Sequence, residues 1–289
     1  MRPDSVVLIH GPTAPVVPLV LDSPHSGYAF PADFNAVVDE FDLRDGEDCF
    51  VDELYLPATE RGVSLIAAQF PRTYLDPNRH AGDIDLALIE GGRWPHDHVP
   101  SGKAALGKAL VWRTLDDGRP IYARKLAVAE VVGRIEGYHV PYHDALRERI
   151  AATQARFGVS YHVNCHSMNA VAGSQGEGGA GSQRADFVLG DRDGTTCEPG
   201  FTAFVLATLR AMGYAVKVND PYKGVELVRA HSDPGRGRHS LRLEINKRLY
   251  MDESTRTRHA GFAALQRNLQ TLVDALIDYT RQASARAGA

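Results

Sequence analysis

The sequence predicts an α/β protein, a single domain over residues 1–289 with a mixed central sheet and helices on both faces. Strand-like apolar runs alternate with helical segments along the chain, the pattern of a sheet covered by helices. Neither an internal repeat nor a linker divides the 289 residues, of which 44% are hydrophobic and 24% charged. These values are typical of globular proteins, and we expect a core over about residues 15–280.

Short apolar runs predict the strands, and a 3.6-residue apolar period predicts the helices. The strands are expected at residues 6–9, 16–21, 63–70, 160–164, 186–190, 214–218 and 240–245. The helices are expected at residues 45–61, 128–157 with an interruption near Pro141, 200–212 closed by Gly213, and 254–281. Residues 81–119 are irregular. The Gly- and Ser-rich run 172–183 predicts a mobile loop, either an active-site lid or a plain flexible insertion.

Composition excludes several classes of function. A formal charge of −4 and a pI near 6.3 do not show the excess of basic residues that is typical of proteins that bind nucleic acid or an anionic membrane. No apolar run is long enough to span a bilayer, and the N-terminus lacks the features of a signal peptide. The three cysteines form no close pair and no metal-type spacing. We therefore expect a cytoplasmic protein with a small-molecule partner and no nucleic-acid or membrane partner.

Polar groups follow or end several of the predicted strands. They are His25, the segment 72–79, His166 and Glu244. Ligands of open α/β sheets bind at the carboxyl ends of strands, so this recurrence indicates one site.

Two strand-end histidines indicate a metal ion, because neutral imidazole is a preferred zinc ligand. For each of His25 and His166, the alternative is a histidine that hydrogen-bonds to backbone. A catalytic zinc takes three protein ligands, and an acidic third ligand is expected at the start of the first long helix. Asp48, Asp52 and Glu53 are the candidates, and spacing does not separate them. The alternative role of Asp48 is an ordinary helix cap.

Glu244 lies in an alternating strand, where Leu241, Leu243 and Ile245 face one way and Arg242 and Glu244 the other. The functional interpretation is a general base for a metal-activated water. The alternative is an exposed strand face on which Glu244 pairs with Arg242.

The loop at residues 72–79 carries Arg72, Asn78 and Arg79. An arginine binds a carboxylate in bidentate fashion, and a second arginine can polarise a carbonyl. The alternative for all three side chains is simple solvation at the surface.

The sequence resembles the N-formylglutamate amidohydrolase family, which is related to zinc carboxypeptidases and aspartoacylase-like deacylases. The resemblance runs in order over roughly residues 18–270, and the ordered set of motifs is specific. The matching stretches are SPHSG (23–27), VDELY (51–55), FPRTYLDPNR (70–79), PYH (141–143), NCHSM (164–168), VLGDRDG (188–194), NDPYKG (219–224) and LEINKRLYMDE (243–253).

The resemblance implies a carboxypeptidase-like α/β fold and one zinc ion held by His25, Asp48 and His166. It further implies Glu244 as the general base. Asn78 and Arg79 would bind the substrate carboxylate, and Arg72 would polarise the scissile carbonyl. One departure concerns the acidic ligand, which the relatives place three residues after the first histidine, where this chain has Tyr28.

The implied reaction is hydrolysis of N-formyl-L-glutamate, or a similar N-acyl acidic amino acid, to formate and the free amino acid, in histidine degradation. Alternatives are a related N-acyl amino acid deacylase or carboxypeptidase-like hydrolase, a non-haem iron enzyme with the same two-histidine, one-carboxylate ligand set, and a chemically silent binding protein. Cys165 is expected to be a buried strand residue rather than a nucleophile.

Overall fold

The computed structural model describes residues 5–173 and 179–287. The middle of the predicted mobile loop, residues 174–178, lies outside the described residues. Its two flanks pair with each other, because Val171 forms an antiparallel bridge with Gln183 and Ala172 donates its N–H to the Ser182 carbonyl at 3.0 Å.

Eleven strands and seven α-helices form the described part of the chain. The strands are β1 (Val7–His10), β2 (Leu19–Ser23), β3 (Ser64–Ala68), β4 (Ile89–Glu90), β5 (Leu126–Ala127), β6 (Ser160–Met168), β7 (Phe187–Gly190), β8 (Val216–Val218), β9 (Arg238–Asn246), β10 (Met251–Asp252) and β11 (Thr257–Arg258). The helices are α1 (Glu40–Leu43), α2 (Val51–Tyr55), α3 (Val128–Arg134), α4 (Val140–Phe157), α5 (Pro199–Ala211), α6 (Glu226–Ala230) and α7 (Gly261–Ala287).

A seven-stranded sheet has the order β1-β3-β2-β6-β9-β7-β8. Strands β2, β6 and β9 are parallel to one another, whereas β7 runs antiparallel to β9 and parallel to β8. The prediction of an α/β fold with a mixed central sheet is therefore confirmed.

The three central strands are buried along nearly their whole length, but their two faces differ in chemistry. One face is apolar and belongs to the main hydrophobic core; it carries Leu19, Leu21, Tyr161, Val163, Cys165, Leu241, Leu243 and Ile245. The other face is polar, because successive side chains of a strand point to opposite sides. It carries Asp22, His162, Asn164, His166, Ser240, Arg242 and Glu244.

Three helices complete the apolar core. The long helix α7 contributes Leu265, Leu269, Leu272, Val273 and Leu276, a spacing of three and four residues that forms one apolar stripe. Helices α2 and α5 contribute Val51, Leu54, Phe201 and Val205.

The described residues form two compact units, one of residues 5–8, 24–47 and 67–145, the other of residues 9–23, 48–66, 146–173 and 179–287. The second contains the central strands and the main core. The first is mostly irregular and is organised around the buried Arg134. The guanidinium of Arg134 lies 3.9 Å from the ring centroid of Tyr74 and donates to the Tyr122 hydroxyl at 2.7 Å. The single-domain organisation stays a prediction.

The expected helix at 45–61 is interrupted. The chain forms a 3₁₀ turn at Arg44–Gly46, a turn in which Phe50 has φ of 64°, the short helix α2 and a second 3₁₀ segment at Leu56–Arg61. The left-handed conformation of Phe50 cannot continue a helix, so α2 begins only at Val51.

Two other boundaries differ from expectation. The predicted closing helix begins at Gly261 rather than 254, because the Asp252 carboxylate accepts the N–H groups of Ser254 and Thr255 and holds a turn between β10 and β11. Before Pro141, residues Ile135–His139 are π-helical. Proline lacks the N–H that a regular helix needs there, which explains the interruption.

In the described part of the chain, none of the helices combines the length and apolar character needed to cross a bilayer.

Leu243→Ala should lower the free energy of unfolding by about 2–5 kcal/mol, because Leu243 is fully buried in the core on the central strand β9. The control is Leu8→Ala, since Leu8 is 41% exposed and the loss should stay within about 0.5 kcal/mol. Urea unfolding with a constant m-value measures both. Equal losses for the two variants would contradict this placement of the core.

Candidate active site

His25 lies two residues beyond β2, in the turn that follows the strand. Its imidazole is fully buried, and its Nε2 lies 2.8 Å from Oδ1 of Asp76. A carboxylate can only accept, so Nε2 carries the proton and Nδ1 carries the lone pair. His25 thus lies in a turn just beyond its strand, as expected, and one partner of its ring is the Asp76 carboxylate.

Asp76 is the centre of the loop at residues 72–79. Besides His25, its Oδ1 accepts the backbone N–H of Asn78 at 2.9 Å. Its Oδ2 accepts from Nη2 of Arg72 at 2.6 Å, and Nε of Arg79 lies 3.9 Å from the same oxygen. Burial alone would raise the pKa of Asp76, but Arg72, His25 and Arg79 outweigh it and hold that pKa well below its usual range.

His166 lies inside β6, which extends to Met168, beyond the predicted end at residue 164. Its Nδ1 lies 3.0 Å from Oδ2 of Asp48, and its Nε2 lies 2.7 Å from Oδ1 of Asn164. Ser167 donates its hydroxyl to the other Asp48 oxygen at 3.2 Å. Asp48 is 2% exposed and precedes α2 by three residues, so it is not the cap of that helix.

His25, Asp48 and His166 each offer one ligand atom, and these atoms all lie within 4.8 Å of one another. Among the residues that the structure describes, this is the group of histidine, cysteine and acidic side chains that can hold a metal ion. The other acidic candidate on α2, Glu53, pairs with Arg258 and is 47% exposed, while Asp52 is also absent from the group. The geometry therefore favours Asp48 as the acidic ligand.

The donor set fits a zinc-like cation. Nε2 of each histidine faces an acceptor and so carries a proton, which leaves Nδ1 as the ring nitrogen that a metal ion can take, and Nδ1 of His166 faces the Asp48 carboxylate. Two acceptors 3.0 Å apart need a proton or a cation between them. Two neutral imidazoles with one carboxylate are a ligand set that zinc takes when one position is left for water.

Glu244 is the register partner of His166 on the adjacent parallel strand, so both side chains lie on the polar face of the sheet. Glu244 is 1% exposed and forms an ion pair with Arg242. The ion pair between Glu244 and Arg242 that the alternative interpretation expects is thus present. It lies on a buried face of the sheet, however, and not on an exposed one.

The remaining predicted residues lie around Asp76. The Arg72 guanidinium also stacks over the Trp112 ring, 5.2 Å from its centroid. Asn78 is 1% exposed, and Nε of Arg79 donates to the Lys108 carbonyl at 3.3 Å. None of the three side chains is solvated at the surface, so that alternative is wrong, while their roles towards a substrate stay predictions.

Sequence reasoning overlooked the partners of the two histidines. Asp76 and Asn164 stood inside the motifs already noted, but Asp22 and His162 carried no signal beyond being polar residues in apolar strands. Cys165 is fully buried, and burial raises the pKa of its thiol well above the usual value, as expected for a residue that is not a nucleophile.

Asp76→Asn should weaken the binding of zinc about 10–100-fold, because an amide next to Arg72 no longer fixes the Nε2–H of His25. Competition with a chelator on the folded protein measures the affinity. The control is Asp85→Asn, which also removes an arginine ion pair in the first unit but involves Arg113 instead. Unchanged zinc affinity in folded Asp76→Asn would show that Asp76 does not orient His25.

The chain is similar to several known proteins. The chain is 29% identical over 242 residues to the N-formylglutamate deformylase of Pseudomonas aeruginosa, covering 82% of this chain and 83% of that protein. The Pseudomonas putida N-formylglutamate deformylase is 28% identical with the same coverage.

The crystal structure of an N-formylglutamate amidohydrolase from Ralstonia eutropha superposes with a TM-score of 0.90 at 46% identity, covering 96% of this chain and 99% of that chain. A gene product from Agrobacterium tumefaciens, at 20% identity and a TM-score of 0.69, shares the fold over 95% of this chain and 96% of its own.

The family model described as N-formylglutamate amidohydrolase matches residues 17–251, a span that includes every metal-ligand and catalytic candidate discussed above. This match confirms the resemblance seen in the motifs and the expectation of a hydrolase that acts on an amide bond. The chain belongs to the N-formylglutamate amidohydrolase family.

Proposed function

We propose that this protein hydrolyses N-formyl-L-glutamate, or a closely similar N-acyl acidic amino acid, to formate and the free amino acid with one zinc ion. The observation that carries the proposal is the buried group His25, Asp48 and His166, whose ligand atoms lie within 4.8 Å of one another in a member of this family. The proposed setting is histidine degradation in the cytoplasm.

The substrate assignment is supported by the relatives. Two proteins named N-formylglutamate deformylase align over 82% of this chain, and the Ralstonia structure of that family matches almost its full length. The same family assignment favours hydrolysis over the non-haem iron chemistry that the ligand set alone would also allow.

A zinc ion held by these three residues would supply Lewis-acid activation of a water molecule and of the acyl carbonyl group. In the proposed mechanism, Glu244 accepts a proton from the attacking water and later returns it to the leaving amine nitrogen. This role is supported by its register next to His166, a proposed metal ligand, and by its ion pair with Arg242, which holds the carboxylate in place.

Arg72, Asn78 and Arg79 are proposed to bind the substrate. Arg72 would stabilise the oxyanion that develops on the acyl carbonyl, while Asn78 and Arg79 would bind a carboxylate. These roles are supported by the contacts of Asp76. Its carboxylate holds the Arg72 guanidinium and the backbone N–H of Asn78, and it also holds the imidazole of His25, so the three are fixed relative to one another. Binding groups that are fixed in advance lose little entropy when the substrate arrives.

The purified protein should release formate from N-formyl-L-glutamate, lose that activity after treatment with a chelator, and recover it when zinc is restored. Formate, or acetate for the acetyl comparison substrate, is measured directly, in parallel with zinc content. N-acetyl-L-glutamate and N-formyl-L-leucine serve as comparison substrates, the first testing the acyl group and the second the acidic side chain.

Zinc-dependent release from N-formyl-L-glutamate alone would support both the reaction and its specificity. Release from N-acetyl-L-glutamate would favour the related-deacylase alternative. Formate release that persists in protein shown to be free of metal would overturn the metal mechanism.

Glu244→Gln should keep the zinc affinity of the wild type and lose about 10²–10⁴-fold in kcat, because an amide cannot accept the proton of the attacking water. The matched control is Glu226→Gln, since Glu226 also pairs with an arginine, Arg229, and is 11% exposed. Wild-type turnover in zinc-replete Glu244→Gln would remove Glu244 from the mechanism.

A further inference from the structure

A buried chain of hydrogen bonds extends from the ligand His166 along the polar face of the sheet. His166 Nε2 lies 2.7 Å from Asn164 Oδ1, and Asn164 Nδ2 donates to Asp22 Oδ1 at 2.8 Å. The same Asp22 oxygen lies 2.8 Å from Nε2 of His162, whose Nδ1 lies 2.7 Å from the Ser240 hydroxyl. All five residues are at most 1% exposed.

Strand pairing explains why the chain is continuous. Asp22 and Asn164 are register partners on β2 and β6, and His162 and Ser240 are register partners on β6 and β9. His162, Asn164 and His166 alternate along β6 and so share one face. The chain is therefore built into the most central, fully buried part of the sheet, where side chains have little room to reorient.

Asp22 fixes the direction of the hydrogen bonds that lead to His166. A carboxylate accepts and cannot donate, so Asn164 must turn its NH₂ group towards Asp22 and its carbonyl oxygen towards His166. The Nε2 of His166 then has to carry the ring proton. This outcome is the same whether His162 is neutral or charged, because either form donates from Nε2 to Asp22.

We propose that Asp22, acting through Asn164 and supported by His162, is a positioning residue that fixes His166 in the tautomer whose Nδ1 binds the metal. The metal rests on the proposed function, but the position of the ring proton is a property of the chain itself. Outer partners of metal-bound histidines usually fix both the tautomer and the ring orientation. Here the direct partner of His166 is the Asn164 amide, and the buried Asp22 carboxylate in turn sets the orientation of that amide.

Asp22→Asn tests the proposal because it keeps the shape and removes the obligate acceptor. Asn164 is then free to flip and present its NH₂ group to His166, which moves the ring proton to Nδ1. We expect ring-nitrogen NMR of the metal-free protein, with ¹⁵N-labelled histidine assigned by His166→Gln, to show a protonated Nε2 in the wild type and an unprotonated Nε2 in the variant. Zinc affinity should fall at least about 10-fold.

The double variant Asp22→Asn with Asn164→Asp should restore both readouts. The carboxylate introduced at position 164 would accept directly from His166 Nε2, and the amide introduced at position 22 would donate its NH₂ group to that carboxylate and to His162. Rescue by a second buried substitution is not expected if Asp22 serves only to stabilise the fold. Asp191→Asn is the matched control, because Asp191 is also buried and accepts from Thr202 and Asn219 but has no bond to this chain of hydrogen bonds.

The proposal is overturned if folded Asp22→Asn keeps the protonated Nε2 of His166 and the zinc affinity of the wild type, or if Nε2 of His166 is unprotonated in the wild type. It is also overturned if Asp191→Asn weakens zinc binding as much as Asp22→Asn. Because the NMR readout needs no metal and no turnover, absent formate release with the expected tautomers would count against the proposed function alone.

Discussion

The site depends first on the register of three parallel strands. Because β2, β6 and β9 are paired so that Asp22, Asn164 and Arg242 are aligned and His166 lies opposite Glu244, the polar side chains fall on one face. The apolar side chains of the same strands form the core on the other face. A shift of one residue in β6 would turn its polar side chains into the core and expose its apolar ones to the site. The same hydrophobic burial that stabilises the sheet thus also selects the geometry of the site.

A second constraint is the carboxylate of Asp76, which holds the loop at residues 72–79. It contacts the imidazole of His25, the guanidinium of Arg72 and the backbone N–H of Asn78. A fully buried carboxylate is unfavourable unless it is paired and hydrogen-bonded, and these contacts supply both. The loop has little regular secondary structure. The contacts of the Asp76 carboxylate therefore order it in place of the backbone hydrogen bonds of a helix or strand. One residue therefore couples the orientation of a proposed metal ligand to that of the proposed substrate-binding groups.

The sequence predicted the α/β class and most strands, since their apolar runs are continuous and closed by polar residues. Because ligands of open α/β sheets bind at the carboxyl ends of strands, the sequence also pointed to His25 and His166 as candidate site residues. It did not separate Asp48 from Asp52 and Glu53, because the turn through Phe50, with its left-handed backbone, displaces Asp48 from the helix that spacing suggested. The partners Asp76 and Asp22 could not be found from sequence, since they lie 51 and 140 residues from the histidines they contact, His25 and His162. Such contacts are decided by strand pairing and loop closure, which no local pattern encodes.

The two histidines proposed as metal ligands are held by different means, and strand register suggests why. His25 donates directly to a carboxylate, whereas His166 donates to the amide of Asn164. Asn164 is the register partner of Arg242, and Arg242 pairs with Glu244. A carboxylate at position 164 would compete for that guanidinium and weaken its pairing with the proposed base. A neutral amide orients His166 without adding charge, while the charge that fixes the amide stays on Asp22, in the neighbouring strand.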